Sequence, residues 1–320
     1  MEKVKQSGIP TKRERIGISI VIPVLNEEKT IKPLLSALKG TKAEIIIVDG
    51  GSTDNTLKLC KGVKIIRGNY NRSQARNIGV AKAKGKIIVF TDAGCIPEED
   101  WLTNITSPLT LLLSKEKGTR RGGEVCDVVA GYYRGLPQNT FEKCLVPYVL
   151  VMPDKLDEDF LPSTRSMAIK KDLFLKTGGF NEALDTSEDF EFANRLKNRG
   201  VKFGLAKNAV VGWYPRKNLK QAAWMFFKFA VTDIYAGILR PKVKLLAIRY
   251  YLFFFLVFLY WPFVICLFVY LIWAIVKNYK YVRDWRAIFW LPVLQLTADI
   301  CVLLGTMAGF LSKGSLGQSP

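Results

Sequence analysis

Two apolar runs in the last third of the chain restrict its fold more than any other feature. Between positions 245 and 276 the only charged residue is Arg249, and between 287 and 311 the only one is Asp299. Each run exceeds the roughly 20 residues that carry a helix across a hydrocarbon core of about 30 Å. Tyr250, Tyr251, Tyr270, Trp273, Trp285 and Trp290 crowd their ends in the manner of an interfacial belt. A pair of buried core helices is the alternative, but few soluble cores hold two apolar runs of this length. The reading is an all-α membrane region over 245–320, with transmembrane helices at 245–276 and 287–311. The rest of the 320 residues is enough for one catalytic domain.

The formal charge of +19 points the same way. From Arg240 onward nine Lys or Arg stand against two acidic residues, and most flank the apolar runs, so anionic membrane lipid is the expected partner. Nucleic acid is not, because no zinc-finger, helix-turn-helix or RNA-recognition signature accompanies the charge. Residues 1–15 read as a basic N-terminal arm. Residues 217–244 read as an amphipathic interfacial or coupling helix, with aromatics at 224, 226, 227 and 229. Two spanning helices place 277–286 on the far side of the membrane, yet that loop carries four basic residues, against the positive-inside rule. A break near Trp261-Pro262 that makes the first segment re-entrant is the alternative; two helices are the favoured reading. The six cysteines form no CxxC pair, and the run from Ile16 to Leu25 ends in Asn26-Glu-Glu without a cleavage site. A multi-pass membrane protein with a cytoplasmic catalytic domain and reduced thiols is expected.

Upstream of residue 216, short β-branched runs alternate with helical stretches. Residues 18–22, 44–48, 63–66 and 86–90 read as buried parallel strands, with helical character over 27–38, 54–60 and 73–83. A helix is expected from 108 into a basic turn at 121, a strand at 127–131, and two short strands at 201–205 and 209–212. Such alternation implies an α/β sheet whose ligands bind beyond the carboxyl ends of the strands. Asn26, Asp49 and Asp92 each follow a strand and should rim one crevice.

Five motifs mark that crevice: Pro23-Val-Leu-Asn-Glu-Glu28, Val48-Asp-Gly-Gly-Ser-Thr-Asp54, Ala75-Arg-Asn-Ile-Gly79, Thr91-Asp-Ala-Gly-Cys95 and Ser187-Glu-Asp-Phe190. In this order they resemble the inverting nucleotide-sugar glycosyltransferases of family 2, over Ile18 to Tyr214. The resemblance implies a GT-A fold, Rossmann-like with a mostly parallel sheet, over 16–216. It implies donor contacts from Pro23, Asn26, Glu27, Asp49, Asp54, Arg76, Asn77 and Asp92, and a catalytic base at Asp189 beside Glu188, with Glu191 as alternative. Gly178-Gly-Phe180 corresponds to the floor of the acceptor pocket, and Arg165, Gly179 and Arg216 are candidates for acceptor or phosphate binding.

Each residue also has a plainer reading. Ser52, Thr53 and Asp54 suit an Asx-turn or a helix N-cap. Glu27 and Glu28 suit a helix first turn, Arg76 and Arg216 a solvated surface, and Ser187-Glu-Asp a helix N-terminus. The chain departs from the family at two points. The DxD element is reduced to Asp92-Ala-Gly94, and there is no histidine to complete a metal site. Either Asp92 holds Mg²⁺ or Mn²⁺ together with phosphates and water, or Arg and Lys replace the metal. The favoured function is transfer of a sugar from a nucleotide-diphosphate donor to a polyprenyl phosphate, a lipid-linked saccharide or an envelope polysaccharide. The rivals are a processive polysaccharide synthase, whose Gln-x-x-Arg-Trp element is incomplete at Gln221-Ala-Ala-Trp224, and a non-catalytic membrane assembly or flippase partner on a decayed transferase fold.

Overall fold

A computed structural model describes residues 17–113, 126–157 and 160–316. The expected N-terminal arm and the basic turn at 121 lie outside the described residues. The chain opens with four strands, β1 (Ile18–Val24), β2 (Glu44–Asp49), β3 (Lys64–Arg67) and β4 (Ile87–Phe90), alternating with α1 (Ile31–Ala37), α2 (Thr56–Leu59) and α3 (Arg72–Lys82). The four strands are parallel and lie in the order β3-β2-β1-β4. The inner residues of β1, β2 and β4 are buried on both faces, as continuous Val/Ile runs require, whereas β3, expected to be buried, is a largely exposed edge strand.

The following elements are β5 (Cys95–Pro97), α4 (Trp101–Leu113), β6 (Val128–Gly135), α5 (Thr140–Val149), β7 (Met167–Lys170), α6 (Lys171–Lys176), α7 (Glu188–Asn198) and β8 (Phe203–Trp213). They complete an eight-stranded sheet in the order β3-β2-β1-β4-β7-β6-β8-β5. The sheet is mostly parallel, as expected, with two reversed strands: β7 runs antiparallel to both β4 and β6, and β5 antiparallel to β8. Neither β5 nor β7 shows the apolar periodicity that would announce a strand. The two strands expected at 201–205 and 209–212 are one strand, β8, with an irregularity opposite Gly131 and Tyr132. Helix α4 starts well before Pro108, since Trp101, Ile105 and Leu109 form a fully buried i, i+4, i+8 stripe.

After β8 come α8 (Leu219–Tyr235), α9 (Pro241–Leu259), α10 (Ile265–Val282) and α11 (Ala287–Leu316). The run at 245–276 is therefore not one helix. Tyr260 is extended (φ −154°, ψ 107°) and Trp261–Val264 forms a 3-10 turn, because Pro262 supplies no N–H and disfavours helix at the residue before it. Two segments are long and apolar enough to cross a membrane, Trp261–Val282 and Ala287–Ser312.

The basic 277–286 loop packs against the catalytic half. Lys280 and Tyr281 bond Asp154, and Asp284 accepts from Thr140. The Pro262 break separates α9 from α10, and the end of α10 with the loop after it lies against Thr140 and Asp154. Helix α8 packs along α11, where a Cβ on Gly305 would come within 2.5 Å of the Phe227 carbonyl and one on Gly309 within 2.8 Å of Ile234. Small residues permit that backbone approach. Met225 and Phe226 of α8 join Phe141, Leu145, Leu291 and Leu294 in one apolar cluster.

Candidate active site

The β1 and β2 loops are stitched together by their own polar groups. Asn26, in the left-handed region at φ 55°, accepts from Thr53 N at 2.9 Å and donates its N–H to Ser52 Oγ at 2.9 Å. Glu27 N–H donates to Thr56 Oγ1, and Glu28 N–H to Asp54 Oδ2. Asp54 Oδ1 also accepts from Thr56 N at 2.9 Å, so its side chain terminates the turn. Asp49 has no exposed surface, and its carboxylate accepts from Gly51 N and Ser52 N. The first helix therefore begins at Ile31 rather than 27. The residues between are held as a rim, and Pro23 lies in β1 directly behind it.

Below the rim sits Arg76, completely buried. It donates through Nη1 to Glu188 Oε1 at 2.5 Å and through Nη2 to Asp92 Oδ1 at 2.6 Å. A buried guanidinium is costly unless paired, and these two carboxylates pair it, although among the described residues Nε is left buried without a partner. Glu188 is buried; Asp92 is one-third exposed and opens to the crevice. Burial alone would raise the Asp92 pKa, but Arg76, Arg165 and Arg72 outweigh it and hold the carboxyl below the ordinary range. For Glu188, burial dominates and pushes the pKa up despite Arg76. Glu27 is also pushed up, by burial first and then by the charge of Asp92.

Asp189 is partly exposed. Its Oδ2 accepts from Ser163 Oγ at 2.7 Å and Thr164 N at 3.4 Å, and its Oδ1 only from the next amide, Phe190 N. Ser187, in the left-handed region at φ 59°, caps nothing with its side chain. Thr186 Oγ1 instead donates to Thr232 Oγ1 of α8 at 2.8 Å. Glu191 is engaged elsewhere: it pairs with Arg195, whose Nη2 holds the Gly179 carbonyl at 2.6 Å.

Asn77 clamps the same loop. It accepts from Phe180 N and donates to Phe180 O, each at 2.9 Å. Gly179 has φ 67°, and a Cβ there would stand 2.6 Å from Asn77 Oδ1, so only glycine fits. Arg76 and Asn77, adjacent in sequence, thus face structural partners.

Arg165 lies between the rings of Tyr133 (5.4 Å) and Trp213 (5.5 Å), within electrostatic reach of both Asp92 and Asp189. Arg216 is open to solvent. Desolvation, then Arg72 and Arg165, push its pKa down. Three arginines therefore converge beside Asp92 and Glu27. Arg72 was missed in the sequence, although it stands four residues before Arg76 on α3 and so shares its face. Ser163 and Tyr133 had no local signal, because their partners are brought together only by the fold.

Residues 19–110 match the sequence model of the family described as Glycosyl transferase family 2. Glycosyltransferase AglE of Haloferax volcanii is 24% identical over 220 residues, covering 62% of this chain and 67% of that protein. A dolichyl N-acetyl-α-D-glucosaminyl phosphate 3-β-D-2,3-diacetamido-2,3-dideoxy-β-D-glucuronosyltransferase of Methanococcus voltae is 28% identical over 228 residues, covering 64% and 68%. Residues 19–110 thus form a domain of the glycosyltransferase family 2 type.

The fold agrees. Glucosyl-3-phosphoglycerate synthase from Mycobacterium tuberculosis, solved with Mn²⁺, uridine diphosphate and phosphoglyceric acid, superposes with a TM-score of 0.50 at 20% identity, covering 70% of this chain and 80% of that one. The protein is a glycosyltransferase of the family 2 type that acts on nucleotide sugars. A divalent cation meets a spare donor set here. Among the described residues no three His, Cys, Asp or Glu cluster as metal ligands. Asp92 Oδ1 is taken by Arg76, which leaves Oδ2 facing the crevice. One carboxylate fits a Mg²⁺-like ion whose other ligands are diphosphate oxygens and water.

Proposed function

We propose that this family 2 transferase is a membrane-bound, inverting enzyme that moves a sugar from a nucleotide-diphosphate donor to a lipid-linked acceptor bearing an isoprenoid phosphate. One observation carries the reading. The guanidinium of Arg240, the residue just before α9, lies 4.1 Å from the ring centroid of Phe190, next to Asp189. The candidate base therefore stands one residue from the root of the C-terminal helices, where an acceptor arriving from the bilayer meets the crevice. The Methanococcus relative, whose printed name describes transfer to a dolichyl phosphate sugar, supports the acceptor class.

The catalytic domain spans 16–216 and faces the cytoplasm, with α8 as the coupling helix and 245–320 as the multi-pass membrane region. The rim built from Pro23, Asn26, Glu27, Asp49 and Asp54 shapes the nucleotide site. Arg72, Arg165 and Arg216 neutralise the leaving diphosphate, since Arg grips phosphate oxygens through two parallel N–H bonds. A divalent cation, when bound, adds Lewis-acid stabilisation of that leaving group, and Asp92 is the residue that would hold it. Arg76 fixes Asp92 on the donor side and Glu188 on the acceptor side with one buried group.

Asp189 Oδ2 takes the proton of an attacking hydroxyl, with Ser163 orienting the carboxylate. As the acceptor oxygen bonds to the anomeric carbon, the carbon–phosphate oxygen bond breaks on the opposite face, which inverts the centre. A phosphate acceptor is already anionic near neutral pH and needs less from the base. The test is nucleotide-diphosphate release from UDP- and GDP-sugars by the full chain in native-like membranes supplied with polyprenyl phosphate or a lipid-linked saccharide. Release with one donor and an inverted anomeric product is expected. Nucleotide binding without transfer to either acceptor would favour the non-catalytic rival.

A further inference from the structure

Helices α9 and α10 leave a groove between them of about 460 Å³, open along one side and lined largely by apolar residues that include Leu252, Phe253, Leu256, Phe263 and Leu267. Arg249 is in its wall. A second recess of about 360 Å³ shares Arg249, Cys266 and Tyr270 and adds Val269 and Trp273. An arginine lining an otherwise apolar groove needs a reason.

The surroundings give it one. Arg249 donates through Nη2 to Asp299 at 3.2 Å, and its guanidinium lies 4.2 Å from the Tyr270 ring centroid. Asp299 also accepts from Tyr250, Tyr270 and Gln295, so four donors from three helices fix it. Asp299 is buried, while the Arg249 side chain stays 42% exposed. Among the described residues Nε and Nη1 of Arg249 make no hydrogen bond. The cluster thus orients a cation and leaves two of its nitrogens free. Lys277 Nζ lies over Trp273 at 4.5 Å, and Lys155, Lys242 and Arg249 are all near enough to repel its charge. Cations gathered beside an apolar groove match an amphiphile with an anionic head.

We propose that this groove holds the isoprenoid phosphate anchor of the acceptor, with the phosphate on Arg249 and Lys277 and the first isoprene units along Leu252, Leu256 and Phe263. The assignment rests on the lipid-linked acceptor reading above. Its position suits a lipid-linked saccharide: Arg249 lies nine residues, or about 14 Å of helix, from Arg240, which stacks beside Asp189, so the phosphate stays on Arg249 while the sugar reaches the base.

The test uses the full chain in detergent, with polyprenyl phosphate, neutral polyprenol and phosphatidylglycerol as separate probes, bound lipid read by native mass spectrometry and turnover by nucleotide release. Wild type is expected to retain polyprenyl phosphate over the other two. Arg249→Gln should weaken polyprenyl phosphate about tenfold or more, the range for a charge-assisted bond, and leave polyprenol unchanged. Leu256→Trp, which fills the groove, should weaken both, and donor affinity in both variants should match wild type, which verifies folding. Equal retention of phosphatidylglycerol, or no effect of either variant while transfer proceeds, overturns the groove alone. Retention without glycosylation by any donor overturns the acceptor reading, and with it the groove's assigned role.

Discussion

The protein contains two arginine–carboxylate clusters of opposite sense. In the catalytic half Arg76 is fully buried and its partner Asp92 keeps a third of its side chain open. In the C-terminal helices Asp299 is 8% exposed and Arg249 is 42% exposed. Each cluster buries one member of an arginine–carboxylate pair and leaves the other partly exposed. The presented charge sets the ligand: an open carboxylate suits a cation carried by a diphosphate, and an open guanidinium suits an anionic head group. A buried pair adds little to stability by itself. Orientation of the exposed member is what both clusters supply.

The largest expected effect comes from breaking the first cluster at its buried member. Arg76→Met leaves Glu188 and Asp92 without their cation, and breaking such a pair costs about 3–5 kcal/mol. Turnover should fall at least about 10³-fold, with a lower melting temperature. Wild-type turnover in this variant would show that the bridge is ornamental.

Changing the exposed member is gentler. Asp92→Asn should lower turnover roughly 10²-fold and abolish any response to Mg²⁺ or Mn²⁺. With Asp92 as the one proposed protein ligand, wild type should bind Mn²⁺ weakly alone and more tightly once uridine diphosphate is added, as calorimetry would detect. Tight binding without nucleotide would reveal ligands the comparison overlooks.

Arg165→Lys keeps the charge but loses the planar stack between Tyr133 and Trp213, and is expected to raise substrate KM about tenfold with a smaller change in kcat. An unchanged KM would remove Arg165 from substrate binding. The smallest effect is one of pH. Arg76 and its neighbours hold Asp92 below the ordinary carboxylate range against burial. The wild-type carboxylate therefore stays charged as pH falls through about 4. In Arg76→Gln burial acts with one opposing charge fewer, so metal-dependent donor affinity should weaken at higher pH than in wild type. Identical acid limbs would contradict the cause assigned to the shift.

Much of the catalytic half was legible because it consists of continuous β-branched runs ending on Asn26, Asp49 and Asp92. β7 was not, since Met167–Lys170 is too short and mixed to stand out, and it is one of the two reversed strands. At the site, sequence placed Arg76 and Asn77 near the donor. Their partners Glu188 and Phe180 lie more than a hundred positions away, so burial and clamping were invisible until the chain folded. Asp54 was ambiguous between a turn residue and a ligand; its Oδ1 accepts from Thr56 N as in an Asx-turn and its Oδ2 from Glu28 N. Among the helices, Pro262 signalled the break that separates α9 from α10. The contacts of Lys280 with Asp154 and of Asp284 with Thr140 had no local signal in the sequence.

The most direct test of the account compares wild type with Asp189→Asn on two acceptors, a lipid-linked saccharide with a free hydroxyl and polyprenyl phosphate, by nucleotide-diphosphate release. The account predicts a loss of about 10²–10⁴ on the hydroxyl, the usual share of a general base, and a loss within about tenfold on the phosphate, which is already ionised. Undiminished transfer to the hydroxyl would contradict Asp189 as the base and, with it, the catalytic centre described above.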